Sequence, residues 1–153
     1  MDDKGLFFCL QDQCPKSCCG PFDGISNQLI SIDSRPFREI VLTQDDTLRL
    51  TQNGFSHYFE VDYSTATKKA YRKMVLADDG TCIAFQGGKC TIHAISPTLC
   101  KAFPFYYDMF SGLCVITCAG IRQFHKDFDI LKYDFYIQNA KKMYEFWLDF
   151  YSV

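Results

Sequence analysis

The sequence has no excess of positive charge and no long hydrophobic run, and each absence removes a class of function. Sixteen Lys and Arg stand against eighteen Asp and Glu, a formal charge of −2. No basic stripe is available to neutralise a phosphate backbone, so nucleic acid is not expected as a partner. The apolar runs are short and broken by charge, far below the ~20 residues that span a bilayer, so no membrane segment is expected. Met1-Asp2-Asp3-Lys4-Gly5 lacks the basic-then-apolar order of a secretory signal, which gives the expectation of a cytoplasmic protein. No Gly-x-Gly-x-x-Gly, Walker or His-Glu-x-x-His pattern occurs, so the ordinary nucleotide, phosphate and zinc-protease signatures are missing. His57, His93 and His125 form no recognisable catalytic pattern with a cysteine, which argues against a cysteine nucleophile.

Cysteine is what the chain has in abundance: nine in 153 residues. An odd number cannot pair off completely, and in a reducing compartment thiols at short spacing are more often metal ligands or redox groups than bridges. The first group is Cys9-x4-Cys14-x3-Cys18-Cys19, where Pro15 and Pro21 oppose a continuous helix and leave a loop-like knuckle. The second is Cys82-x7-Cys90 followed by Cys100, with Pro97 and Pro104 flanking Cys100 and stiffening its backbone. Cys114-x3-Cys118 closes the set, its spacing able to converge on a helix or a strand. All nine are candidate metal ligands. His93, in Cys90-x2-His93, is a secondary candidate that base rates place at the surface or core edge. Knuckles with three or four intervening residues suit zinc, whereas the adjacent pair Cys18-Cys19 is hard to fit to one tetrahedron and suits two sites or a polynuclear cluster. Spacing alone leaves iron and zinc both open.

Hydrophobic residues at 48% and charged residues at 22% match a globular chain. The expected fold class is α+β, a single compact domain over 1–153 with short strands and a cysteine-rich metal centre. Its metal-binding part is 7–118 and its aromatic helical segment 119–153. Residues 29–32 and 37–42 suggest a hairpin about the turn Asp33-Ser34-Arg35-Pro36. Thr43 looks like a helix N-cap, with Asp45 and Asp46 complementing the dipole of a helix that ends at Asn53-Gly54. Residues 70–76 alternate as a strand before the turn Asp78-Asp79-Gly80, and Gln86-Gly87-Gly88-Lys89 reads as a hairpin turn.

Residues 124–153 carry ten of the twenty-five aromatic residues and neither Gly nor Pro, which predicts a helix. Phe124, Phe128, Leu131 and Phe135 form one stripe, and Tyr136, Ala140, Met143, Tyr144, Trp147, Leu148 and Tyr151 a second. The stripe shifts at the Phe135-Tyr136 step, so the helix breaks there or presents different faces to different neighbours. One stripe could pack a homodimer, with Trp147 as its anchor.

These blocks resemble the YkgJ-type cysteine-cluster family, described as a zinc- or iron-chelating domain. The resemblance spans most of residues 7–105. It rests on the knuckle ending in Cys18-Cys19, on Val41-Leu42-Thr43-Gln44-Asp45-Asp46 opening a helix, and on Cys82-Ile83-Ala84-Phe85 leading to Cys90-Thr91-Ile92-His93. It ends with Ser96-Pro97-Thr98-Leu99-Cys100-Lys101-Ala102-Phe103-Pro104-Phe105. Ser96 stands where the family usually has Arg, and the first knuckle is wider than usual. That knuckle also resembles the cysteine motif of flagellin lysine-N-methylase proteins, which are much longer. The second resemblance implies Cys9, Cys14, Cys18 and Cys19 as iron–sulfur ligands, S-adenosylmethionine as cofactor, and a lysine of a protein or peptide as substrate. Pro21 stands where a Cys-x3-Cys-x2-Cys motif would need its third cysteine. A metal-binding protein holding an iron–sulfur cluster or zinc is therefore the first expectation, and a small methyltransferase or peptide-modifying enzyme the alternative.

Overall fold

Local sequence signals account for most of the elements in the computed structural model, which describes residues 39–115 and 129–152. Strand β1 (Val41–Leu42) leads through Thr43 into helix α1 (Gln44–Gln52). The Thr43 hydroxyl accepts from the Asp46 amide at 3.1 Å, while Asp46 Oδ2 accepts from the Thr43 amide at 3.0 Å. This reciprocal capping box satisfies two donors that a helix start leaves orphaned. The helix ends at Asn53, and Gly54 takes a φ of +85°, a conformation that costs glycine little.

Strands β2 (Phe59–Tyr63) and β3 (Ala70–Met74) pair antiparallel from Phe59 opposite Met74 to Tyr63 opposite Ala70. Strand β1 joins the other edge of β3, Val41 opposite Lys73, giving the order β1-β3-β2. The expected partner of β1, residues 29–32, lies outside the described residues, so the hairpin reading is neither met nor overturned there. Side chains alternate across the sheet. Leu42 and Met74 enter a core cluster with Leu50, Tyr58, Ala84 and Ile92, whereas Val41 and Tyr71 meet Phe150 on the opposite face.

Beyond the turn at 77–81, β4 (Phe85–Gln86) and β5 (Lys89–Cys90) form the expected small hairpin. Gly87 and Gly88 sit at φ +59° and +76°, the positive values that a two-residue hairpin turn requires. Helix α2 (Thr98–Ala102) follows, then the hairpin of β6 (Phe105–Asp108) and β7 (Gly112–Val115).

A 3-10 turn at Ile130–Tyr133 runs into helix α3 (Asp134–Tyr151). The helix expected over 124–153 thus begins at Asp134 within the described residues, close to where the apolar stripe shifts. Leu131 and Phe135 of the first stripe are exposed; Phe124 and Phe128 lie outside the described residues. The second stripe faces inward through Ala140 and Met143, but Leu148 is exposed and Phe150 takes the buried place. Trp147 packs within the chain, edge-on to Phe150 and stacked on Tyr151. Helix α3 meets Ala102 and Phe105 at one end and Val41 and Tyr71 at the other. Among the described residues no helix is long and apolar enough to cross a membrane. The α+β class therefore holds.

Candidate metal centre

Four of the nine candidate ligands fall in the described residues: Cys82, Cys90, Cys100 and Cys114. Cys9, Cys14, Cys18, Cys19 and Cys118 lie outside them.

Cys82 follows the tight turn in which Ala77 donates to the Thr81 carbonyl and Asp79 Oδ1 accepts from the Thr81 amide. It bridges to Leu76, and the Ile83 amide donates to Val75 at 3.0 Å, so its backbone is held against the end of β3. The side chain is buried and lines a mostly apolar hollow of about 280 Å³ with Val75, Leu76 and Phe85. Cys90 is half-buried on β5 opposite Phe85, whose amide donates to the Cys82 carbonyl at 2.9 Å. Thr91 closes the loop, its amide and hydroxyl both donating to the Ala84 carbonyl. Cys100 is half-buried in the middle of α2.

These three thiols border one core cluster: Cys82 belongs to it, and Cys90 and Cys100 pack against it. Cys114 stands apart on β7 opposite Tyr106, its Sγ donating to the Gly112 carbonyl at 3.5 Å. Partial burial, and then the hydrogen bond to Cys114, raise the Tyr106 phenol above its ordinary pKa. His93 sits on the 3-10 turn His93–Ile95, open to solvent, yet the surrounding protein lowers its pKa and favours the neutral imidazole.

Thiols are soft donors that suit zinc or iron–sulfur clusters, so the residues bordering the first core fit such a group in kind. In number they do not complete it. Among the described residues no group of three or more His, Cys, Asp or Glu converges closely enough to hold a metal ion.

Sequence reasoning assigned Asp46 to the helix dipole alone. Its carboxylate is fully buried, and Oδ1 reaches 52 positions along the chain to accept from the Thr98 amide at 3.0 Å and the Thr98 hydroxyl at 2.8 Å. Arg49 donates to the same oxygen at 2.6 Å, and also to the carbonyls of Ser96 at 2.9 Å and Ile95 at 3.3 Å. Thr43 as an N-cap marks the helix start in the sequence; no local signal marks the long-range partner of Asp46. A groove of about 820 Å³ between α1, α2 and α3 passes Thr98 and Lys101, and none of the described thiols lines it. Burial, and then the nearby Arg49, lower the Lys101 pKa.

The profile of the CxxCxxCC family, described as a zinc- or iron-chelating domain, matches residues 9–134 of this chain. Neither the curated proteins nor the solved structures contain a match to it.

Proposed function

The chain belongs to the CxxCxxCC family of zinc- or iron-chelating domains, and from that membership we propose that its clustered thiols hold an iron–sulfur cluster in preference to zinc. Nine cysteines, two of them adjacent, exceed the four donors of one zinc tetrahedron. A polynuclear cluster spreads its ligand directions and accommodates neighbouring thiolates. The observation that carries the reading is the number and spacing of the nine cysteines, of which Cys82, Cys90 and Cys100 border a single core without completing a site among the described residues. Cys9, Cys14, Cys18 and Cys19 supply the remaining donors in this reading, and Cys114 with Cys118 form a separate pair. The whole of 1–153 then acts as one domain, in a reducing compartment where the thiols remain available.

The chain's own contribution is to shed the thiol protons and to hold the backbone of Cys82 and Cys90 in place. Burial of Cys82 keeps water from its sulfur, and the two hairpin glycines bring Cys90 back beside Phe85. When bound, the group supplies a cross-link between distant segments and, with iron, a redox centre. The methyl-transferring alternative rests on the resemblance of the first knuckle alone.

Anaerobic purification followed by elemental analysis and an absorption spectrum tests the proposal. Bound iron with broad visible absorption is expected; a colourless protein carrying zinc would replace the cluster with a zinc site. Cys14→Ser and Cys100→Ser are each expected to lower bound metal and melting temperature, because metal that assembles with the fold adds its binding energy to stability. Full metal and an unchanged melting temperature in both variants would remove those thiols from the ligand set.

A further inference from the structure

Helix α2 has little means of holding itself. Its five residues form barely more than one turn, too short to be stable alone. Its N-cap is Pro97, which makes no side-chain cap. The missing acceptor comes from elsewhere: Asp46 Oδ1 takes both the Thr98 amide and the Thr98 hydroxyl. Arg49, itself held on Asp46, fastens the two preceding carbonyls, Ile95 and Ser96. Two charged side chains on α1 therefore bind the segment from Ile95 to Thr98, which ends two residues before Cys100, through directional bonds. The capping box fixes Asp46 in turn, since Oδ2 accepts from the Thr43 amide.

A fully buried carboxylate is costly to desolvate, and hydrogen bonds of this kind seldom return more than that cost. Apolar packing holds α2 against the core, and the directional bonds add a specific register to that packing. The directional bonds fix where Thr98 sits, and two residues on they fix where Cys100 sits.

We propose that Asp46, with Arg49 and Thr98, is a positioning device that aims the Cys100 thiol for metal. The proposal rests on the reading of Cys100 as a ligand. Outer partners that orient metal ligands typically carry about ten- to hundredfold in metal affinity, and here that effect should fall on one thiol rather than on the site as a whole.

The test is the alkylation rate of each cysteine by iodoacetamide, followed by mass spectrometry, in the full chain purified with its metal and again after chelation. In the wild type, metal is expected to slow the reaction of both Cys82 and Cys100. In Asp46→Asn and in the milder Thr98→Val, protection of Cys100 should fall by about tenfold while that of Cys82 persists. Thr98→Ser, which keeps the hydroxyl, should behave as wild type. Leu50→Ala empties the core beneath the same helix without touching Thr98, so it should lower both protections together. If Asp46→Asn and Thr98→Val lower Cys82 and Cys100 equally, or lower neither, the positioning role is wrong while Cys100 remains a ligand. If metal does not protect Cys100 in the wild type, the ligand reading itself fails and the positioning role fails with it.

Discussion

The two faces of the β1-β3-β2 sheet are held by different physics. On one face Leu42 and Met74 meet the cluster that the thiols border, and a buried carboxylate ties α1 to the segment ahead of Cys100. On the other, Val41 and Tyr71 meet the aromatic end of α3, where Phe150 lies edge-on to Tyr71 at 6.0 Å and stacks on Phe146 at 5.9 Å. Directional bonds fix the position of a segment; apolar contact supplies stability with little positional demand. The polar fastening stands beside the proposed ligands, and the aromatic packing stands where only a helix has to be kept in place. Exposed Met109 and Phe110 at the tip of the β6–β7 hairpin belong to neither face.

The largest expected effect lies on the aromatic face. Phe150 is 7% exposed, so Phe150→Ala should leave a cavity and cost about 3–5 kcal/mol, measured by denaturant unfolding. The metal protection of Cys100 in the folded fraction should not change selectively. A loss of Cys100 protection with Cys82 intact would break the division between the two faces, because it would make aromatic packing a determinant of thiol position.

A smaller effect is expected at the hairpin between Cys82 and Cys90. Gly87 has a φ of +59°, and a Cβ built on it meets nothing within 4 Å, so Gly87→Ala carries a backbone penalty without a clash. The expected loss is about 1–2 kcal/mol. Gly87→Asn should lose less, since asparagine tolerates the left-handed region. Equal losses for the two substitutions would mean that something other than backbone conformation decides the turn.

What the sequence made legible was local. Thr43 at one end and Asn53 with Gly54 at the other announce the limits of α1 through adjacent residues, and the alternation over 70–76 gives β3, which ends at Met74. The Gly87-Gly88 turn is equally self-contained. Long-range partners were not legible: β1 pairs with β3 about thirty residues away, and Asp46 reaches Thr98 across 52. Helical spacing gave the α3 stripe correctly at Ala140 and Met143 yet exchanged Leu148 for Phe150, because the direction of the neighbouring sheet decides which edge of a stripe is covered. At the candidate site, the grouping of Cys82 with Cys90 and Cys100 was readable from the run of short turns between them. Cys114 stands on another hairpin, which its spacing to Cys118 does not reveal.

The smallest effect separates a half-buried ion cluster from the fully buried carboxylate. Lys73 donates to Glu39 and to Asp62, both at 2.9 Å, on the same sheet face as Tyr71. The hydrogen bond from Lys73, and then that from the Tyr63 amide, lower the Asp62 pKa. Burial works against the Lys73 ammonium, but the hydrogen bonds to Asp62 and Glu39 outweigh it and raise its pKa. The lowered Asp62 pKa contributes stability above its unfolded value of about 3.9, lost as pH falls through the folded value. The raised Lys73 pKa contributes stability below its unfolded value of about 10.4, lost as pH rises through the folded one. Between these limits the cluster is intact, but the Asp62 side chain is 46% exposed, so solvent screening discounts its worth. Asp62→Asn should cost less than about 1 kcal/mol at neutral pH. Its difference from wild type should shrink on acidification below about pH 4 and in high salt. Thermal melts of both proteins across pH and salt check this. A difference that is large, or that persists in acid and salt, would place Asp62 with Asp46 among the fastened groups and remove the contrast between the two faces.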